Sequence, residues 1–382
     1  MGLGAAPHPP WVLGWGTRMR TRMGTRTRTR TRTSTGPALS SRPSPGRAPE
    51  PRDGGGAAPC SAYPRPSVAY PRPAAMSLRF SANVSWLFAE LPGLPARLEA
   101  ASRCGFAAAE LGWPEGCPAP ALRRAAQRAG LSLVLLNAPP GTAAGTGTGG
   151  SGGHRGAGGD PPPSLLGDRE RGELGLGAVP GRQDAFRQGL AAAVQYGREV
   201  GCSRIHLMAG RVPQGADRAA VAGEMEATFI ENLRYAADLL AQEDMVGLVE
   251  PINSRITDPR YFLNTPQQAV AILEKVGRPN LKLQLDIFHC QIMDGNLSRN
   301  LETYLPLIGH IQIAQVPGRH EPDSPGELNF PYIFELLESL GYNGYVGCEY
   351  TPKGDTVEGL GWLRSYWESR GLQPGGTSKA TE

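Results

Sequence analysis

The sequence predicts an α/β fold, a parallel (β/α)8 TIM barrel, preceded by a disordered extension and interrupted by one low-complexity loop insertion. Three observations predict it. Eight short, mostly apolar segments recur between residues 78 and 349. Longer amphipathic segments lie between them, the alternation expected of a parallel sheet wrapped by helices. The first strand is followed by Val84-Ser85-Trp86-Leu87-Phe88, not by the Gly-rich turn of an open dinucleotide-binding sheet.

The candidate strands are Leu78–Asn83, Ala107–Leu111, Leu131–Asn137, Arg204–Met208, Val246–Pro251, Leu281–Ile287, Ile308–Ala314 and Tyr345–Glu349. Each is short and nearly continuous in apolar residues, as strands buried on both faces are. The clearest helical patterns are Gln183–Val200, Asp217–Gln242, Thr265–Val276 and Asn329–Leu340. Asp217 and Thr265 stand where N-caps belong, and Pro266 takes the first helical position. Together these elements span 76–372, a length that suits one barrel with extra material.

The extra material is compositional. Residues 1–75 are rich in Arg, Thr, Pro, Gly and Ala, and Arg18–Thr33 is almost a repeat of Arg-Thr pairs. Such a stretch cannot bury enough apolar surface to offset its ordering entropy, so it is expected to be disordered. A mitochondrial transit peptide and a basic nucleic-acid arm are competing readings; the reading taken is a dispensable extension ahead of Met76. A second low-complexity stretch, about 138–174, is a flexible insertion in the third strand-to-helix loop. It has Gly-Gly runs but no Gly-Lys-Ser/Thr ending, so it is not read as a phosphate loop. Gly175–Arg182 follows it where a lid or substrate loop of the barrel would lie. Residues 373–382 are expected to be a disordered tail.

Charge and cysteine usage narrow the function classes. The formal net charge is +4, but residues 1–75 hold 12 Arg against Glu50 and Asp53. The remaining chain carries 27 basic and 33 acidic groups, a net of −6, so no nucleic-acid-binding face is expected on the barrel. No apolar run reaches the ~18 residues of a membrane span. The six Cys show neither zinc nor redox spacing, and a reduced, cytoplasmic location is expected, with mitochondria the alternative if the extension acts as a transit peptide.

In a barrel of this kind, reactive groups stand at the C-terminal ends of strands. The last polar residues of the later strands are Glu250 on the fifth, Asp286 on the sixth, Gln312 on the seventh and Glu349 on the eighth. They lie 36, 26 and 37 residues apart, each about one strand–helix repeat, so all four belong to one rim. A lone carboxylate after an apolar strand is commonly just the first loop residue; four at matched ends are a sharper signal. Three converging carboxylates repel one another, and a cation relieves that. An all-oxygen set suits Mg2+ or Mn2+ better than zinc. His289, three residues past Asp286, together with Arg211 and Arg319 after strand ends, are candidates to meet an anionic substrate. His206 and His310 are read as structural, and Phe334 and Tyr345 as packing.

These residues lie in segments that resemble the hydroxypyruvate isomerase family. The resemblance rests on Arg79-Phe-Ser-Ala-Asn-Val-Ser-Trp-Leu-Phe88, Gly177-Ala-Val-Pro-Gly-Arg182, His206-Leu-Met-Ala-Gly-Arg-Val-Pro213 and Glu250-Pro-Ile-Asn-Ser-Arg255. It continues through Asp286-Ile-Phe-His289, His310-Ile-Gln-Ile-Ala-Gln-Val-Pro-Gly-Arg319, Gly326-Glu-Leu-Asn-Phe330 and Gly347-Cys-Glu-Tyr350. It runs from Met76 to about Gly371, interrupted by the insertion, and implies a xylose-isomerase-like barrel with sugar epimerases as relatives. It implies Glu250 and Glu349 as proton donor and acceptor, and a divalent metal, Mg2+ or Mn2+, at Glu250, Asp286, Gln312 and Glu349. The epimerase relatives tend to carry His where Gln312 stands, so Gln312 points to the isomerase branch. The implied reaction interconverts hydroxypyruvate and 2-hydroxy-3-oxopropanoate through an enediol or enediolate. A ketose epimerase or sugar isomerase, and a non-catalytic metabolite-binding barrel, are the alternatives. Oligomeric state is not legible in the chain.

Overall fold

The computed structural model describes residues 77–141, 173–374 and the backbone of 377–378. The extension expected at 1–75 lies outside the described residues, as do 142–172 of the expected insertion and 375–376 and 379–382 of the expected tail. Eight parallel strands close into a barrel in chain order. They are β1 (Arg79–Asn83), β2 (Ala108–Leu111), β3 (Ser132–Asn137), β4 (Arg204–His206), β5 (Val246–Val249), β6 (Leu281–Asp286), β7 (Ile308–Ile313) and β8 (Tyr345–Cys348). β8 pairs with β1 to close the ring, with Ser81 opposite Gly347. Several ladders stop short of the apolar run in the sequence. The fourth run reaches Met208, but after His206 the backbone leaves the sheet, and Ala209 bridges Gly175 instead.

The helices are α1 (Gly93–Arg103), α2 (Ala119–Ala129), α3 (Gln183–Val200), α4 (Arg218–Ala241), α5 (Pro266–Val276), α6 (Ile287–Met293), α7 (Leu297–Tyr304), α8 (Phe330–Ser339), α9 (Thr356–Gly359) and α10 (Gly361–Ser369). Side-chain caps hold the starts of α4, α5, α6, α8 and α9. Asp217 accepts from the Ala219 amide at 3.1 Å, Thr265 from Gln268 at 3.2 Å and Asn329 from Tyr332 at 3.3 Å. α1 and α2 follow Pro92 and Pro118 with no side-chain cap, so their starts carry a weaker sequence signal. Past α10, Leu372–Gln373 pairs antiparallel with Thr377–Ser378. Of the expected tail, 373–382, this ladder takes in Gln373 and Thr377–Ser378.

Two packing features place the functional rim. Phe80 on β1 meets Phe334, Trp362 and Tyr366 edge-on, with ring centroids 5.5, 5.4 and 5.0 Å away. Each such contact adds about 0.5–1.5 kcal/mol beyond its buried area, and together they pin α8 and α10 over the β1–β8 seam. The segment 175–182, expected as a lid or substrate loop, is tied to the β4 end: Gly177 N donates to Met208 O at 3.1 Å, and Asn232 donates to Gly177 O at 2.8 Å. Only glycine fits this approach at residue 175, where a Cβ would lie 2.3 Å from Met208 atoms.

Candidate active site

The parallel ladders bring the ends of β5, β6, β7 and β8 to one rim, and the sequence places Glu250, Asp286, Gln312 and Glu349 there. Glu250, Asp286 and Gln312 are buried, and Glu349 is partly open, with 14% of its side chain exposed. Asp286 is also the N-cap of α6, accepting from the Phe288 amide at 2.8 Å. That turn carries His289 back over the rim, with Nε2 3.5 Å from Asp286 Oδ2 and 3.6 Å from Glu250 Oε1. Arg319 enters from the connection after β7. Its Nη2 lies 2.5 Å from Glu349 Oε2 and 3.5 Å from Asp286 Oδ2. The guanidinium sits over the Trp86 ring at 4.3 Å and the Phe288 ring at 5.0 Å, so two aromatic faces steer the cation onto the acids. Its backbone is left-handed, φ 56°, held by Gln315 O and Thr351 N. A non-glycine residue adopts that conformation at a cost.

The electrostatics follow from burial. Burial raises the Glu250 carboxyl well above the ordinary range, and the charges of Glu349 and Asp286 raise it further against the pull of Arg319. Asp286 is raised mainly by burial, partly offset by Arg319 and by backbone amides. Among the described residues, Glu250, Asp286 and His289 offer ligand atoms within 4.8 Å of one another. His289 nevertheless does not present a lone pair there. Its Nδ1 receives the Asn253 amide N at 3.3 Å and Asn253 Nδ2 at 2.7 Å. Asn253 cannot be turned around, because its Oδ1 accepts from the amides of Ile256 and Thr257, both at 3.0 Å. With Nδ1 facing two donors, the ring proton sits on Nε2, which donates toward the carboxylates. The groups left to hold a cation are oxygens, from Glu250, Asp286, Glu349 and the amide of Gln312.

Arg211, expected to meet an anionic substrate, is turned elsewhere. Its Nε lies 2.6 Å from Asp258, a buried carboxylate in the connection after β5 that is its counter-ion. His206, read as structural, borders the cluster, with Nδ1 3.3 Å from Asn137 Oδ1 and 3.5 Å from Glu250 Oε2. Burial first, then the charge of His310, pushes it down to about 3, so it is neutral and Nδ1 is the donor. His310 is buried against Glu110.

Glu110, Asn83, Gln284 and Trp86 were not singled out from the sequence. Glu110 lies within β2 and is fully buried, and Asn83 ends β1. Picking the last polar residue of each strand would have found both had it been carried to the first two strands. Gln284 is two residues before Asp286, on the same face of β6. It donates from Nε2 to Glu250 Oε2 at 3.0 Å and to Gln312 Oε1 at 2.6 Å. Trp86 carries no sequence signal beyond its place in the first loop.

Residues 98–366 match the profile of the xylose isomerase-like TIM barrel family. The human protein named "Putative hydroxypyruvate isomerase" is 65% identical over 77% of this chain and 97% of its own length. The 2-oxo-tetronate isomerase of Cupriavidus necator is 42% identical over 75% of this chain and 98% of its own. Among solved structures, "AP endonuclease, family 2" from Brucella melitensis superposes with a TM-score of 0.65. It is 40% identical and spans 76% of this chain and 99% of its own.

Proposed function

The chain belongs to the xylose isomerase-like TIM barrel family, among the hydroxypyruvate isomerases, and on that premise we propose that it isomerises a short 2-oxo-3-hydroxy acid, hydroxypyruvate, to 2-hydroxy-3-oxopropanoate. The observation that carries this reading is the convergence of three carboxylates and Arg319 at one rim, with the Gln312 amide oxygen joined to Glu250 through Gln284.

The reaction removes a proton from C3, delivers one to C2 and passes through an enediol or enediolate. It needs two proton-handling groups close to adjacent carbons, and no net oxidant or reductant. Glu250 and Glu349 fill that role, reaching the mouth from β5 and β8 on different sides. Glu250 is raised by burial and by the charges of Glu349 and Asp286, whereas Glu349 lies against a cation, so the two carboxylates differ in environment. Arg319 and the Nε2–H of His289 are the donors available to a substrate carboxylate or to the oxygen that gains charge. Trp86 and Phe288 flank Arg319 and keep that side dry. The oxygen donors fit Mg2+ or Mn2+, which Glu250, Asp286, Gln312 and Glu349 would hold. When bound, such an ion supplies Lewis-acid stabilisation of the oxygens of the enediolate.

The bacterial relative supports a second reading, the four-carbon homologue of the same chemistry. The Brucella structure, named an AP endonuclease, invites a third. A several-zinc site would want more histidine lone pairs, whereas His289 here is a donor and His310 is bound to Glu110. The test is a panel of hydroxypyruvate, 2-oxo-tetronate, hexuloses and abasic DNA, each with and without Mn2+ or Mg2+. Turnover of hydroxypyruvate is expected; turnover of a hexulose or of DNA alone overturns the proposal.

A further inference from the structure

Below the rim lies a second polar layer built around one carboxylate. Glu110 is fully buried, and each of its oxygens accepts twice. Oε2 takes Ser81 Oγ and His310 Nε2, both at 2.7 Å. Oε1 takes Gln312 Nε2 at 2.8 Å and Asn83 Nδ2 at 3.2 Å. The socket is shaped for it: on β8, a Cβ at Gly347 would stand 2.4 Å from both carboxylate oxygens. Burial alone would raise this carboxyl, but the charge of His310 and the hydrogen bonds of His310, Gln312 and Ser81 hold it below the usual range.

Both amides on Oε1 lead upward. Asn83 uses the same Nδ2 to reach Glu349 Oε1 at 3.1 Å, while its Oδ1 is occupied by the Ser85 amide at 3.1 Å. Gln312 turns its nitrogen down to Glu110, so its oxygen faces Gln284, whose Nε2 bridges at 2.6 Å to that oxygen and at 3.0 Å to Glu250 Oε2. Two chains of hydrogen bonds thus start on one carboxylate and end on the two rim glutamates.

We propose that Glu110 is a positioning residue that sets the polarity of both chains. This rests on Glu250 and Glu349 being the proton-transfer pair. An ionised carboxylate accepts and never donates. It therefore forces the Gln312 amide to point its nitrogen down and its oxygen toward Gln284, and Gln284 to turn N–H toward Glu250. If Gln312 flipped, its nitrogen would face the Gln284 nitrogen, and Gln284 would have to turn its own oxygen against the Glu250 carboxylate. The same anchor fixes the Asn83 nitrogen between Glu110 and Glu349. An acceptor at the base of the network thereby becomes N–H donors aimed at both glutamates, and it leaves Gln312 presenting oxygen.

The test compares Glu110→Gln with Glu110→Met in the full chain. Glutamine keeps one oxygen for Asn83 and Gln312, and its nitrogen can turn to Ser81 and to His310, which, without the carboxylate beside it, gives up its Nε2 proton and accepts there. Methionine keeps the length and removes every acceptor. The expected result is kcat within about fivefold of wild type for Glu110→Gln, and a loss of at least about thirtyfold for Glu110→Met with KM within threefold. In 15N spectra the side-chain NH2 protons of Asn83 and Gln312 should exchange slowly in wild type and Glu110→Gln, and fast in Glu110→Met. If Glu110→Met does not fold, Glu110→Asp, which withdraws the oxygens by about one bond length, should lower kcat at least tenfold without raising KM. The proposal is overturned if Glu110→Met or Glu110→Asp keeps wild-type kcat, if Gln loses as much as Met, or if exchange is unchanged in folded Met. Inactivity of the wild type on the whole panel marks failure of the isomerase reading instead, and the exchange arm still decides whether Glu110 sets the amides.

Discussion

Replacing Glu250 by Gln separates proton transfer from folding. The wild-type carboxylate is buried between donors, with Gln284 Nε2 3.0 Å from Oε2 and His289 Nε2 3.6 Å from Oε1. Glutamine has one acceptor oxygen, so its NH2 must face one of these donors, and an unsatisfied buried donor costs about 1–3 kcal/mol. Against that, the change removes a charge that burial, Glu349 and Asp286 all disfavour. The opposing effects leave a net cost of at most about 2 kcal/mol, less than about 8 °C in Tm for a barrel of this size. The lost base is a different matter: kcat should fall at least ~100-fold, about 2.7 kcal/mol of barrier. Glu349→Gln should do the same, since the amide keeps an oxygen for Arg319 or Asn83 but accepts no proton. The assay is hydroxypyruvate turnover at saturating Mn2+, with Tm measured on the same samples. Exchange of the C3 proton with deuterated water then divides the roles, because the variant lacking the C3 base loses exchange and the other keeps it. If both variants turn over within tenfold of wild type at saturating metal, the two-glutamate mechanism is refuted.

Chelator dialysis should abolish most activity, and Mg2+ or Mn2+ should restore it; restoration by zinc alone would contradict the oxygen-donor argument. The metal-free protein should also lose stability as pH rises through the elevated value of Glu250, because a raised carboxyl is favoured protonated in the folded state, and Mn2+ should remove that slope in a Tm series from pH 5 to 8. His206 gives the opposite slope. It is held down to about 3 against ~6.5 unfolded, so the unfolded chain binds the extra proton and about 2 kcal/mol of stability should be lost between pH 7 and pH 5. His206→Gln should flatten that limb in urea titrations, and an unchanged limb would assign the acid loss to other groups. A chain beginning at Met76 should match the full chain in Tm and kcat, on the strength of the composition break there; a fall of more than about 5 °C would count against a dispensable extension.

Much of this protein is decided locally and can be read from the chain. The eight apolar runs, the cap residues Asp217 and Thr265, and the repeat-length spacing from Glu250 to Glu349 each depend on neighbours in sequence. Parallel strands buried on both faces are apolar almost throughout, so a polar residue at a strand end stands out, and a barrel gathers those ends on one rim. What the chain could not show is which donor each polar atom meets. Arg211 and Arg319 look alike in sequence, but Asp258 draws one away while Trp86 and Phe288 press the other onto the acids. His289 reads equally as ligand or donor until Asn253, 36 residues earlier, fixes its tautomer. Glu110 becomes significant only beside His310, 200 residues later, and Gln312, 202 residues later. Secondary structure follows from periodicities within a few residues. Hydrogen-bond polarity in a buried layer follows from contacts between strands far apart in the chain, and only the closed barrel brings those together.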